Sequence, residues 1–164
     1  MSSEMERALS DQLNAELYSF YLYLAVANWY RSQGLDGFAH WMEAQAQEEL
    51  GHALKIYHHL HQRGGVPVLG ALEAPPASWD SPLAALEAVA DHERQITRRV
   101  TQLADLAVRE KDHASRILAD WFVTEQVEEE ATVGDLVRKA RMLATTPNGI
   151  YLLDRELAQR PAES

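Results

Sequence analysis

The sequence contains no cysteine among its 164 residues. Disulfide bonds and thiolate metal ligands are therefore excluded. It also has no apolar segment long enough to span a bilayer, and the stretch from Met1 to Glu6 does not combine a basic run with an apolar one, as a secretory leader does. These absences lead us to expect a cytoplasmic protein without a membrane partner.

Basic residues are scarce: 15 Lys and Arg face 25 Asp and Glu, which gives a formal charge of -10. Nucleic acids and anionic membranes would be repelled, so we expect neither as the main partner, whereas cations would be attracted. Glycine and proline are also few, at 8 and 6, while 46% of the residues are hydrophobic. This composition predicts one compact domain over residues 1–164.

Helical periodicity and capping residues predict an all-α fold. The first helix is expected at about residues 4–33, after a capping-box pattern of Ser3 with Glu6. The second follows Asp36 and ends at the glycine pair 64–65. The third begins at Ser81-Pro82 and runs to about 109, the fourth covers about 113–143, and a short fifth covers about 147–159.

The connection lengths predict the topology. About three residues join helices one and two, and likewise three and four, which forces two antiparallel hairpins. Residues 64–81 can extend to about 60 Å, whereas each neighbouring helix is only about 42 Å long. The long connection can therefore cross the whole bundle and make helices two and three parallel. The prediction is a four-helix bundle over about residues 4–143 with one long crossover.

Each long helix carries one glutamate in the middle of its apolar stripe and near its midpoint: Glu16, Glu49, Glu93 and Glu129. Midpoints share a level whichever way a helix runs, so the four carboxylates should meet. Unpaired carboxylates in an apolar core cost several kcal/mol each, and cations are therefore expected between them. His52 adds an imidazole on the same face as Glu49. Oxygen ligands with one imidazole suit iron or manganese, with zinc as a competitor, and four charges match two divalent ions.

Several motifs resemble those of a known family. The segment Glu49-Leu50-Gly51-His52 matches the Glu-x-x-His motif of ferritin-like di-iron proteins, whereas Gln126-Val127-Glu128-Glu129 replaces its second copy. With the stretches NAELYSFYLYL, AQEELGHALK, EAPPASWDSPLAALEAVADHE and EQVEEE, the chain resembles the non-haem ferritins of bacteria and archaea over nearly its whole length. Bacterioferritins carry a haem-ligating Met where Leu50 stands, so no haem is expected.

The resemblance implies an intrasubunit di-iron centre. Glu16 and His52 would hold one iron, Glu93 and Glu129 would hold the other, and Glu49 would bridge them.

Three further roles are also implied by the resemblance. Gln126 matches a weak ligand or a neighbour of the ligands, and Tyr23 matches a tyrosine that supplies an electron during oxygen chemistry. A third iron beside the pair would take the ligands Glu48, Glu125 and Glu128. These three flank the apolar stripe, so a solvated acidic face is the alternative reading for them.

The function that the resemblance implies is iron storage. The chain would oxidise Fe²⁺ with O₂ or H₂O₂ and store ferric mineral inside a homo-oligomeric cage of about 24 subunits. The fifth helix, with Ile150, Leu153 and Leu157 on one face, resembles the terminal interface helix of such cages.

Three alternatives to storage are considered. A non-storage di-iron oxidase or peroxidase would need a substrate pocket or an electron-transfer module, and a DNA-protecting mini-ferritin would form its metal sites between subunits. The third alternative is a helical scaffold that binds no metal. Glu49→Ala should stabilise such a scaffold, because it removes a buried charge that no cation compensates. Among the remaining histidines, His40, His92 and His113 are expected at the surface.

Overall fold

The computed structural model describes residues 1–146 and 148–161. Within these ranges every regular element is a helix: α1 Ser3–Ser32, α2 Asp36–Gln62, α3 Pro82–Arg109, α4 His113–Leu143 and α5 Gly149–Leu157. The predicted all-α class and the four long helices are confirmed to within about two residues at each end. The fifth helix lies inside the predicted range, whose first residue, Pro147, falls outside the described residues.

Side-chain caps explain where α1, α3 and α4 begin, whereas α2 has none of its own. Ser81 Oγ accepts a hydrogen bond from the backbone N–H of Ala84, with proline at the first helical position, as predicted. The capping box at Ser3 is wrong, because Ser2 caps α1 by accepting from Met5 N at 3.0 Å. Glu6 is not engaged in that cap, since its carboxylate accepts from Val66 N in the crossover.

The order of contacts between α1 and α3 establishes the topology. The α1 residues Glu4, Tyr23 and Tyr30 contact the α3 residues Arg109, Glu93 and Pro82 in reverse order, so the two helices are antiparallel. Helix α2 is antiparallel to α1 through their short turn. Helices α2 and α3 are therefore parallel, and the predicted long crossover is confirmed.

The crossover runs along the surface of α1 and is held there by its side chains. Ser10 Oγ accepts from Val68 N at 3.2 Å, while the Asn14 amide donates to Val68 O at 2.7 Å and accepts from Gly70 N at 2.9 Å. These bonds satisfy backbone N–H and C=O groups of the crossover, which find no partner within a helix or a sheet. The connection follows a defined path although it contains no regular structure.

The apolar core is divided into two parts. One cluster lies toward the end of the bundle that contains Phe38 and Leu86, and the other lies toward the end that contains Leu9 and Leu60. Between them the four long helices contribute a layer of buried polar side chains: Gln12, Glu16, Ser19, Gln45, Glu49, His52, Glu93, Gln126 and Glu129.

Helix α5 packs against α2 and α4 of its own chain. Leu153 and Leu157 are buried in the first core cluster and Ile150 packs against it. The face that was expected to form a subunit interface is therefore used within the chain, and the exposed apolar residues of α5 are Tyr151 and Leu152.

The start of α2 fits closely against α5. Asp154 Oδ1 accepts a hydrogen bond from Phe38 N at 2.9 Å, which satisfies a backbone donor at the N-terminus of α2. A Cβ atom on Gly37 would lie only 1.7 Å from the backbone oxygen of Asp154. The close approach of the two helices therefore requires glycine at this position.

Candidate metal centre

The polar layer is built around the four glutamates that the helical wheels selected. Their exposed fractions are 0% for Glu16, 2% for Glu49, 1% for Glu93 and 9% for Glu129, so all four are withdrawn from water. Electrostatic interactions link Glu49 to each of the other three. One carboxylate from each long helix therefore belongs to a single buried group.

Glu16, Glu49 and His52 lie closest together. Each offers one ligand atom within 4.8 Å of those of the other two. His52 Nδ1 is 3.4 Å from Glu49 Oε2 without the geometry of a hydrogen bond. Glu16 Oε2 and Glu49 Oε2 are buried without a hydrogen-bond partner. Two buried carboxylate oxygens without donors are unusual in a folded protein and fit a position that takes a cation.

Glu93, which α3 contributes to the group, is already hydrogen-bonded. The Tyr23 hydroxyl donates to Glu93 Oε1, and Gln126 Nε2 donates to Glu93 Oε2 at 3.0 Å. The Gln126 amide is also within 3.2 Å of Thr97 Oγ1. The residues Tyr23 and Gln126 therefore orient the Glu93 carboxylate.

Two further amides hold Glu16 and Glu129. Gln12 Nε2 donates to Glu16 Oε1 at 2.7 Å, and Gln45 Nε2 donates to Glu129 Oε2 at 2.8 Å. Each amide fixes one oxygen of its carboxylate and leaves the second oxygen for another partner.

Burial raises the pKa of every carboxyl in the group. The pKa values of Glu16 and Glu49 lie well above 4.5, because desolvation is reinforced by neighbouring glutamates. Burial likewise raises the pKa of Glu93, and it raises that of Glu129 to about 7. A metal-free group therefore retains protons at neutral pH, and divalent cations would release them on binding.

Aromatic rings enclose the imidazole. His52 packs edge-on against Trp121 and Phe122, with ring centroids 5.5 and 5.6 Å apart. Lys55 Nζ lies over the Trp121 ring at 4.0 Å from its centroid. This packing limits the orientations of His52 and keeps it directed toward Glu49.

The residues predicted for a third iron are placed differently. In the described part of the chain, Glu16, Glu49 and His52 form the one acidic or histidine trio with ligand spacing, so Glu48, Glu125 and Glu128 are not brought together. Glu48 forms an ion pair with Arg160 at 2.8 Å, and Glu128 is exposed.

Several residues of the centre were not identified from the sequence. Gln12 and Gln45 are buried beside the carboxylates, and Arg160 reaches Gln45 from beyond α5. His92, expected at the surface, is half-buried: its Nε2 lies 2.8 Å from Ser19 Oγ and its ring lies against Tyr23, and burial lowers its pKa to about 4. A polar side chain at helical spacing from a buried glutamate was the available signal for the glutamines.

The donor set suits a pair of divalent cations. It offers carboxylate oxygens and one imidazole without sulfur, which favours iron, manganese or zinc over copper(I). All four carboxylates come from one chain, and the chain folds as a four-helix bundle with a long crossover between α2 and α3. Together these features define a ferritin-like carboxylate bundle.

Comparisons with known proteins agree with this class. A model of the ferritin-like domain family matches residues 6–143. The bacterial non-heme ferritin of Bacteroides fragilis is 38% identical over 160 residues, covering 98% of this chain and 99% of the relative. An open pore ferritin from the hyperthermophilic archaeon Archaeoglobus fulgidus superposes with a TM-score of 0.96 at 46% identity, covering 98% of both chains. A closed form of that ferritin, engineered by mutagenesis, gives a TM-score of 0.97 at 46% identity, with 99% of each chain covered.

The chain belongs to the ferritin family, on the branch of the prokaryotic non-haem ferritins. Of the residues that the structure describes, no helix is both long enough and apolar enough to cross a membrane.

Proposed function

We propose that the chain is an iron-storage ferritin that oxidises Fe²⁺ at the buried carboxylate group. The observation that carries this proposal is the pair of buried, unpartnered oxygens on Glu16 and Glu49 with His52 beside them. A group of this kind costs stability unless cations compensate it. The family supplies the identity of the cation as iron.

The substrate ions are assigned to the two sides of the layer. Glu16 and His52 would bind one ferrous ion, Glu93 and Glu129 would bind the other, and Glu49 would bridge them. Two observations support this assignment: the ligand atoms of Glu16, Glu49 and His52 lie within 4.8 Å of one another, and Glu49 interacts electrostatically with Glu93 and Glu129. The amides of Gln12, Gln45 and Gln126 would keep the carboxylates in place before metal arrives.

The reaction is a transfer of electrons from bound iron to oxygen. Two Fe²⁺ ions lose one electron each, and O₂ takes both electrons with two protons to give H₂O₂; with H₂O₂ as oxidant the products are two waters. Anionic oxygen ligands stabilise Fe³⁺ over Fe²⁺. Tyr23, hydrogen-bonded to Glu93, is placed to supply a further electron when O₂ is reduced beyond peroxide.

Ferric product would leave for a mineral inside an oligomeric cage. The relatives named above are ferritins, and exposed large apolar side chains provide surfaces for contact between subunits, among them Ile117, Val127 and Met142. We propose a cage of about 24 subunits in the cytoplasm. A third iron position at Glu48, Glu125 and Glu128 remains a proposal, and it would require these side chains to move together.

A non-storage di-iron oxidase or peroxidase is the second candidate, because the same group can reduce oxygen without storing iron. Aerobic addition of Fe²⁺, followed by sizing and iron analysis of the soluble protein, separates the two. Storage predicts iron far beyond a few ions per chain in a large particle. Stoichiometric iron on a small particle would favour the oxidase.

Matched variants show whether the buried group drives that uptake. Glu49→Gln keeps the shape of the side chain and removes its charge, so the rate of Fe²⁺ oxidation should fall by at least about tenfold. Glu73→Gln makes the same change in the exposed crossover and should leave the rate unaltered. Equal loss in both variants would contradict the assignment of the reaction to this group.

A further inference from the structure

Arg160 reaches the centre from the turn after α5. Its Nη2 donates to Glu48 Oε2 at 2.8 Å, and its Nη1 donates to Gln45 Oε1 at 2.6 Å. The guanidinium carbon lies 5.0 Å from the centroid of the Trp41 ring, and His40 Nε2 lies 2.8 Å from the Arg160 carbonyl oxygen. The ion pair is largely enclosed, since the two charged side chains are 18% and 19% exposed.

The Arg160 contacts continue directly to the metal ligands. Gln45, whose carbonyl oxygen accepts from Arg160, uses its amide N–H to hold Glu129. Glu48 is adjacent in sequence to Glu49 and interacts with it electrostatically. Arg160 therefore faces the outer side of the same carboxylate group.

Glu48 adds a carboxylate to the four of the buried layer, and Arg160 supplies a positive charge beside it. The residues Glu16, Glu49, Glu93 and Glu129 contribute four negative charges when fully ionised, and Glu48 adds a fifth. Two divalent cations compensate four of these, and the guanidinium compensates the remaining one. A partly buried carboxylate without a counter-charge would favour the binding of another cation.

We propose that Arg160 is an internal counter-cation that closes the Glu48 side of the centre, so that a further metal ion binds at Glu48 only by displacing the guanidinium. The inference rests on the proposed function, because it takes two metal ions in the four-glutamate layer as given. Arg160 touches neither of those ions and acts through Glu48 and Gln45.

The chemistry of arginine suits this role. Its charge is permanent, and its planar donors reach two acceptors one helical turn apart on α2 while the same plane lies over Trp41. Helix α5 is docked on α2 through Asp154, so the guanidinium is held near Glu48 before any metal arrives. Displacing one charge-assisted hydrogen bond of this kind corresponds to roughly a tenfold loss of affinity for the competing ion.

The test is anaerobic calorimetric titration of the assembled protein with Fe²⁺ alone. Wild-type protein should bind two ions per chain tightly and any further ion weakly. Arg160→Gln keeps a hydrogen-bond donor without the charge, and it should bind the further ion about tenfold more tightly. Arg160→Lys retains the charge without the planar fork that reaches both Gln45 and Glu48, so its affinity for the further ion should lie between those of wild type and Arg160→Gln. Arg160→Gln combined with Glu48→Gln should lose the gained ion.

The outcomes separate the inference from the proposed function. A wild-type protein that binds no ferrous ion in the four-glutamate layer would overturn the proposed function and the inference with it. If two ions bind tightly but Arg160→Gln binds a further ion no more tightly than wild type, the inference is overturned and the proposed function is not.

Crystals of the wild-type protein supply a second readout if Arg160→Gln fails to assemble. After soaking in Mn²⁺, anomalous density at Glu48 should appear only where Arg160 has withdrawn, and an intact ion pair should exclude it. A manganese ion on Glu48 beside an undisplaced Arg160 contact would overturn the inference.

Discussion

At the scale of single residues, the energetics of the centre follow from buried carboxyl groups that hold protons. Glu129 illustrates this most directly, because burial and Glu93 raise its pKa to about 7 while an unfolded chain has a pKa near 4.5. Below about pH 4.5 the Glu129 carboxyl is protonated in both the folded and the unfolded chain, so it does not change the free energy of unfolding with pH. Above that pH the unfolded chain releases the proton first, so the group lowers stability progressively until about pH 7.

The first prediction concerns the pH dependence of the metal-free protein. Its free energy of unfolding should decrease between about pH 4.5 and pH 7, and Glu129 should account for up to about 3 kcal/mol of that decrease. Glu129→Gln should flatten the profile in this window, as measured by denaturant unfolding in the presence of a chelator. Parallel profiles for the two proteins would contradict the assignment. Asp112 changes stability at lower pH, because its hydrogen bonds with Arg63 and Ser115 outweigh burial and hold its pKa at about 2. His92 opposes the decrease, because burial lowers its pKa to about 4 and its contribution to stability rises up to about pH 6.5. It is present in both proteins and therefore does not affect their comparison.

The second prediction concerns Tyr23. Replacing it with Phe removes the donor to Glu93 and the group that can be oxidised, but leaves the carboxylates in place. Ferrous binding should persist, while a tyrosyl radical signal in freeze-quenched samples should disappear. Tyr18→Phe, a change at a partly exposed tyrosine that also contacts His92, serves as the matched control. A radical signal of equal size in Tyr23→Phe and wild type would assign the radical to another residue.

The sequence allowed part of this centre to be predicted. A carboxylate in the middle of an apolar stripe conflicts with its surroundings, and four such conflicts at helix midpoints located Glu16, Glu49, Glu93 and Glu129. Gln45 created no such conflict, because a neutral amide is tolerated near a buried stripe. Arg160 could not be found, since its contact with Glu48 joins residues separated by 112 positions.

At the scale of helices, the docking of α5 on α2 depends on Gly37. Helix existence and order were predictable from periodicity, whereas this contact was not, because it depends on how closely two backbones approach. The capping residue of α1 was likewise misplaced by one position. Two neighbouring serines offer equivalent hydroxyls, and only the path of the chain decides which one caps.

The third prediction tests that contact. Gly37→Ala places a Cβ against the Asp154 carbonyl, so α5 should be displaced and the melting temperature should fall. Gly51→Ala is the control, because a Cβ there meets nothing within 4 Å and alanine favours the helix by roughly 0.5–1 kcal/mol. Thermal unfolding of both variants should therefore give shifts of opposite sign. A Gly37→Ala protein as stable as wild type would show that α5 docks less closely than described.

At the scale of the whole molecule, the crossover shows how length and surface chemistry combine. Its length was sufficient to predict a parallel arrangement of α2 and α3. Its path along α1 depends on Glu6, Ser10 and Asn14, which a helical wheel treats as ordinary polar residues. Several apolar side chains of the crossover are left exposed, with Val68 and Leu69 at 65% and 62%.

The fourth prediction concerns assembly through that surface. Ordered, exposed apolar residues favour contact with another subunit, so Val68→Asp with Leu69→Asp should reduce particle size while helical content is retained. Ser78→Asp adds charge to the same connection at a position that is already polar and exposed, and it should leave the particle unchanged. Sizing by light scattering, with circular dichroism alongside, checks both. Full-size particles from the double variant would exclude this surface as a subunit contact.

The central claim is that the carboxylates of four helices converge because metal cations lie between them. Anomalous diffraction at the iron edge, from crystals soaked anaerobically in ferrous salt, tests it most directly. Two iron peaks are expected, one between Glu16, Glu49 and His52 and one between Glu49, Glu93 and Glu129. A fully soaked crystal without anomalous density among these side chains would contradict it.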